Sequence, residues 1–261
     1  MGGLHGGERS RTISPDPTIP NVNNPQALNR FSYVANNPLK CVDPSGLDWV
    51  FVAGQSQKSA TQWLDFIMNI YNSGVVGSDE HMYFIPDTTS GFGVSKRVDL
   101  LAETLVDNHC TNIKLVGFSE GAATVGAFLD KLATHSKYLE DSSIRKELKM
   151  AILMEALACP GAAGLFSGYT DNTLKNLPSR MVKADINIQL GYIYNDASIV
   201  ATPVPEGWDG KTYSYTSYHP WALINPIWPV GVFQFFSENH SDILHNQYTV
   251  SVIVDLARSI K

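Results

Sequence analysis

The sequence predicts an α/β protein, a mostly parallel central sheet with helices on both faces. Two observations lead to that class. From residue 48 onward, short apolar runs alternate with longer stretches whose apolar residues recur at helical spacing. Strands that alternate with helices of this length pair in parallel beneath their crossover connections. The size agrees: 261 residues, 44% of them hydrophobic and 17% charged, suit one large core with an appendage. A domain of this length buries roughly three quarters of its unfolded surface and needs no disulfide or metal staple.

The elements follow in order. Residues 49–53 (WVFVA) form a short apolar run closed by Gly54, a buried strand. Residues 59–71 place Trp63, Phe66, Ile67 and Ile70 at helical intervals, and residues 82–85 form a second strand closed by Pro86. Residues 94–108 carry Val98, Leu101, Leu105 and Val106 on one side of a second helix. Residues 113–116 make a third strand and 121–134 a third helix; residues 150–156 and 186–194 are the fourth and fifth strands. An amphipathic helix over 247–260, with Val250, Ile253, Val254 and Ala257 on one face, closes the chain.

Upstream of residue 48 the pattern is different. Residues 1–47 hold six of the 14 prolines, are dense in Asn and show no apolar period. Proline removes ladder donors while Asn and Gly favour turns, so extended chain and turns are expected there. The net charge of −6 divides into +1 for this leader and −7 for the body, which argues against nucleic acid as the main partner. Cys41, Cys110 and Cys159 are too scattered for a disulfide framework or a tetrahedral metal site. No signal peptide is expected in the first residues, MGGLHGGERSR. The most apolar stretch, residues 221–236, is interrupted by Pro226 and Pro229, and a membrane span needs about 20 apolar residues.

One motif carries chemistry. Gly117-Phe118-Ser119-Glu120-Gly121 is GxSxG, set between the strand over 113–116 and the helix that follows. This is the strand–turn–helix context in which a serine hydroxyl projects above a sheet edge. The flanking glycines are required because a side chain there would collide with neighbouring backbone. A serine hydroxyl attacks only when a base takes its proton, and in this setting the chain order is Ser, then an acid, then His.

With these residues in place, the chain from Trp49 to Lys261 resembles the α/β-hydrolase superfamily, most closely its lipase and esterase branches. The resemblance implies an oxyanion loop starting at Gly54, although the histidine usually preceding that glycine is Ala53 here. It implies the backbone N–H groups of Gln55 and Glu120 as oxyanion donors. It makes Asp196, after the fifth strand, the leading acid, with Asp209 in GWDG as the other candidate. Of seven histidines, His5 lies in the leader, and His81, His109 and His135 precede the acid-bearing strand. His219, His240 and His245 remain, and His240, just before the terminal helix, stands where the family's base lies. No metal or organic cofactor is implied.

Residues 157–185 and 201–238 fall outside the regular alternation and are expected to form cap or lid insertions. Trp208, Trp221, Trp228, Phe233, Phe235 and Phe236 would either line an acyl pocket there or pack as core. The leader, residues 13–46, resembles the C-terminal end of an RHS-repeat-associated core domain, carried by NRFSYVANNPLK and by Pro38, Asp43, Pro44, Gly46 and Leu47 in a PxxxxDPxGL pattern. Some members of that family cleave themselves after the leucine, and their shell precedes a variable module that is often a toxin. The implied domains are therefore 1–47, the shell remnant, and 48–261, the hydrolase, within a secreted or cell-surface parent protein. The expected function is hydrolysis of carboxylic esters on a small-molecule or lipid substrate, with transient contact to a lipid interface. A phospholipase-like toxin neutralised by an immunity protein, an amidase or acyltransferase, and a non-catalytic binding remnant are the alternatives.

Overall fold

The computed structural model describes residues 5–6, 11–12, 47–55, 57–77, 80–87, 94–134, 142–156, 173–196, 204–205, 207–216 and 242–260. Six strands form one parallel sheet: β1 (Leu47–Val52), β2 (Glu80–Ile85), β3 (Ile113–Phe118), β4 (Leu148–Met154), β5 (Gln189–Asn195) and β6 (Lys211–Tyr215). Their spatial order is β2-β1-β3-β4-β5-β6, every neighbouring pair parallel. The chain steps outward from β1 to β2, then returns to place β3 on the other side of β1. That reversal opens a crevice between the carboxyl ends of β1 and β3, the place where open α/β sheets bind ligands.

Helices cover both faces because successive strand residues point in opposite directions. Trp49, Phe51, Val116, Met150, Ile152 and Ile193 face one side. There they meet the 3-10 turn Ala60–Trp63, α1 (Leu64–Asn72) and the C-terminal helix α6 (Gln247–Arg258). Val50, Val52, Leu115, Ala151, Leu153 and Tyr192 face the other side. They pack under α2 (Val94–Asp107), α3 (Glu120–Thr134) and α5 (Leu177–Lys183). The short α4 (Ser142–Glu147) leads directly into β4. On the first face Phe51 stacks near Trp49 and meets Trp63 and Phe66 edge-on, with centroids 6.1–6.4 Å apart. A two-residue antiparallel ladder, His5–Gly6 with Arg11–Thr12, stands apart from the sheet.

The expected strands and helices are present, with shifted ends. The fifth strand begins at Gln189, three residues later than the apolar pattern suggested, because Ile186 is buried beside α5 rather than paired in the sheet. Ala53 and Ala156 are buried but fall beyond their strands. The first helix opens as a 3-10 turn capped by Ser59, whose Oγ accepts the Thr61 N–H. The helices α4 and α5 and the edge strand β6 were not anticipated, nor were the small ladder and the 3-10 turn Asp242–Leu244. The sequence of β6, KTYSY, has no apolar run because only partly covered edge positions receive its side chains. Trp208 packs on Tyr192, centroids 5.7 Å apart, against the α3-side core, which makes it a packing residue. Trp221, Trp228, Phe233, Phe235, Phe236 and nearly all of the leader lie outside the described residues. No helix among the described residues is long and apolar enough to cross a membrane.

A buried ion pair is anchored at the amino edge of the sheet. Lys114 Nζ donates to Glu80 Oε1 at 3.0 Å, and Trp49 Nε1 donates to the other carboxylate oxygen. Nearby, Cys110 is buried, and burial followed by the Asp48 carboxylate pushes its thiol up to about 12.

Phe51→Ala should remove about 3–5 kcal/mol of stability, because three aromatic neighbours cannot collapse into the vacated volume. Urea unfolding reads this as a lower midpoint at unchanged slope. With Cys41 and Cys159 replaced by Ser, Cys110 should stay unreacted with a disulfide reagent at about pH 8 in the folded protein and react on denaturation, since only the thiolate attacks.

Candidate active site

Ser119 follows β3 directly and precedes the first residue of α3. Its φ is +56°, a left-handed conformation that costs a residue with a Cβ about 1–2 kcal/mol. The turn is sharp enough that the glycines on either side have no room for a side chain. A Cβ on Gly117 would lie 2.6 Å from the Gly121 carbonyl oxygen, and one on Gly121 would overlap the carbonyl oxygen of Val52. Strain retained in a turn of this kind marks a site where geometry is imposed from outside. Here the restraint includes the Ser119 N–H, which donates to the Met154 carbonyl at the end of β4 at 2.9 Å. The serine is 3% exposed. Glu120 begins α3, so its N–H belongs to the open amino end of a helix, where partial positive charge gathers.

The loop after β1 closes against this turn. A Cβ on Gly54 would stand 3.0 Å from Ser119 Cβ, so the backbone of the loop and the serine are in direct apposition. The Gly54 N–H donates to Gln57 Oε1 at 2.7 Å, and the same oxygen accepts from Trp63 Nε1 at 2.9 Å. With the Gly54 donor engaged, the next backbone N–H along the loop is that of Gln55, whose side chain is exposed. Behind the loop, the Arg97 guanidinium of α2 donates through Nη2 to the Ala53 carbonyl. Arg97 is fully buried; burial lowers its pKa, while the carboxylates of Glu120 and Asp87 act in the opposite sense.

The sequence-derived acids separate by position. Asp196 follows β5 at the carboxyl edge, the same rim of the sheet as Ser119; its N–H donates to the Tyr215 carbonyl at 2.8 Å and its side chain is exposed. Asp209 lies before β6, at the amino edge, where it acts on Arg180 of α5. A parallel sheet puts those two rims at opposite ends of its strands, so Asp209 is remote from Ser119. His240 and His219 lie outside the described residues. His245 is described and exposed, its N–H donating to the Asp242 carbonyl at 2.8 Å. His81 sits at the amino edge with Nδ1 3.2 Å from Asp48 Oδ1.

One residue at the rim escaped sequence reasoning. Glu155 follows β4, is fully buried and has φ of +45°. Its N–H donates to the Ile193 carbonyl at 2.9 Å, and its Oε1 accepts the Asn195 N–H at 2.9 Å. Burial first, then the Glu155 and Asp242 carboxylates, hold the Tyr215 hydroxyl well above its usual range, so it remains protonated. The available signal was an acidic residue directly after an apolar strand run, MAILME, which a search restricted to acids after the fifth strand passes over.

No protein-family model matches the chain, and none of the curated proteins does. Among solved structures, it is similar to an extracellular α/β-hydrolase from a Paenibacillus species, at 11% identity over 82% of this chain and 100% of that one, TM-score 0.47. A lipase-esterase related protein from Clostridium acetobutylicum is 12% identical over 83% of this chain and 94% of its own, TM-score 0.45. A bromoperoxidase from Bacillus anthracis is 11% identical over 82% and 93%, TM-score 0.48. At this distance none of them assigns an activity. The chain's own topology, a parallel sheet covered on both faces with a serine turn after its central strand, is that of the α/β-hydrolase fold.

Ser119→Gly should be more stable than Ser119→Ala by about 1 kcal/mol, since only glycine enters the left-handed region freely. Parallel denaturant melts measure the difference, whose sign would reverse for a residue in ordinary helical conformation.

Proposed function

We propose that this chain is a serine hydrolase of carboxylic esters. The observation that carries the reading is Ser119 itself: a non-glycine residue in left-handed conformation, between two glycines without room for a Cβ, at the carboxyl end of a central parallel strand. Such a turn serves no packing purpose that glycine would not serve better. It is accounted for by the need to present a hydroxyl at a helix start beside an oxyanion loop.

In this reading the Ser119 hydroxyl attacks the ester carbonyl carbon while His240 takes its proton. The carbonyl π pair moves to oxygen, and the N–H groups of Gln55 and Glu120 receive the resulting oxyanion. Collapse expels the alcohol, which takes the proton back from His240, and leaves an acyl-serine. Water then repeats the sequence, delivering its proton to His240, releasing the acid and regenerating Ser119. Asp196, at the same rim as Ser119, orients the histidine. Glu155 is the second candidate for that role, favoured by its burial one strand from the serine and by the strained backbone that holds it.

Residues 1–47 are read as the end of an RHS-type shell, and 48–261 as the module it accompanies. This context makes a lipid ester the favoured substrate and a toxin with a cognate immunity protein the favoured setting.

A fluorophosphonate probe should label the native protein at Ser119 and fail on Ser119→Ala; absence of label on the native chain rejects the reading. Asp196→Asn should lower kcat on p-nitrophenyl esters by about two to four orders of magnitude, as loss of a histidine's orienting carboxylate does, while Asp209→Asn leaves it unchanged. If Glu155→Gln instead carries that loss and Asp196→Asn does not, the acid is Glu155. Directed to the bacterial periplasm, the chain should damage membranes in a manner abolished by Ser119→Ala.

A further inference from the structure

Arg97 is the one fully buried cation among the described residues. It reaches from α2 to the carbonyl oxygen of Ala53, the last residue before the loop that opposes Ser119. The carbonyl oxygen it grips is also one of the two that a side chain on Gly121 would strike. Arg97 therefore touches the point at which the β1 loop and the start of α3 are pressed together.

We propose that Arg97 is a positioning residue for the oxyanion pocket. The inference rests on the serine-hydrolase reading and names a determinant of that same site. The argument is geometric. Peptide groups are planar, so fixing the Ala53 carbonyl fixes the plane of the 53–54 peptide. The Gly54 N–H of that same peptide donates to Gln57 Oε1, and the next peptide, which carries the Gln55 N–H, is held through the Gly54 carbonyl by the Gln57 N–H at 3.3 Å. Gln57 is itself tied to the segment after β2 by the Asp87 N–H, which donates to the Gln57 carbonyl at 2.9 Å. With the 53–54 and 54–55 peptides both held, the direction of the Gln55 N–H is set before substrate arrives. On the opposite side of the pocket the second donor, the Glu120 N–H, belongs to a residue whose carboxylate acts on the same guanidinium. One cation thus bears on both donors, and pre-set donors are what stabilise an oxyanion without reorganisation.

A buried arginine whose Nε and Nη1 have no hydrogen-bond partner among the described residues is an expensive way to secure a fold. Its position at the loop gives that expense a function. Arg97 does not touch the reacting atoms; it acts through Ala53 and Glu120.

The test uses the full chain and three measurements: ester hydrolysis, inhibition by an alkyl boronic acid that mimics the tetrahedral oxyanion, and thermal melting. Arg97→Met should lower kcat by about 10–100-fold, approaching the loss of one oxyanion donor, with KM changed less than about threefold. Boronate affinity should fall in parallel with kcat/KM, and Arg97→Lys should fall between the two. A merely structural role would lower the melting temperature without separating boronate affinity from KM. If Arg97→Met folds and keeps kcat within about twofold of native, the proposal is overturned while the hydrolase reading stands. If the native chain neither hydrolyses esters nor labels at Ser119, the reading falls and takes the proposal with it. Should the Arg97 variants not fold, Asp87→Asn, which removes one of the two carboxylates supporting the guanidinium, decides: reduced kcat at unchanged KM supports the proposal and unchanged kcat overturns it.

Discussion

The first turn of α3 rests on the end of β1, and that contact governs much of the molecule. The Val52 and Ala53 carbonyl oxygens occupy the space a Gly121 side chain would need, and the Gly121 carbonyl occupies the space of a Gly117 side chain. Close packing of this order forces β3 to turn into α3 within a single residue, and that residue, Ser119, takes the left-handed conformation the turn demands. The strain is held by hydrogen bonding to Met154 and by the apposed Gly54 loop. Relaxing any of these would let the serine return to an ordinary backbone conformation and withdraw from the crevice.

The location of the crevice follows from strand order. With β2 and β3 on opposite sides of β1, the connections leaving β1 and β3 diverge to opposite faces of the sheet. The two connections therefore part above the carboxyl ends of these strands, the switch point at which open α/β sheets take their ligands. The aromatic cluster of Trp49, Phe51, Trp63 and Phe66 stabilises one layer, and α2 with α3 stabilises the other. Among the described residues, the buried Arg97 stands in this region under the influence of the Glu120 and Asp87 carboxylates.

Elements buried on both sides were readable from the chain, since their strands are apolar beyond a single polar residue at the second position, Asp48, Lys114 or Lys149. β1, β3 and β4 were of this kind, as was α6 with its apolar face. The edge strand β6 was not readable, because one wet side leaves it the composition of a loop, and α4 and α5 are too short to establish a period. The serine turn was legible for a local reason: its glycines, serine and flanking strand and helix all lie within one continuous stretch, residues 113–134. The candidate acid was only half legible. Chain order pointed to Asp196, but nothing along the chain reveals that Asp209 sits at the other rim or that Glu155 is buried beside β5.

From the chain alone, alternating apolar runs thus established the fold class, and local steric requirements established the sharp turn at Ser119 with the two glycines around it. They depend on φ/ψ and on residues a few positions apart, which a linear reading contains. Which buried charge stands behind the β1 loop, and which carboxylates share the rim with Ser119, were decided only by the tertiary structure. Arg97 and Ala53 are 44 positions apart, and Glu155 and Asn195 are 40 apart. They meet because parallel strands and a crossing helix bring them to one end of the sheet, and no periodicity in the chain encodes that meeting.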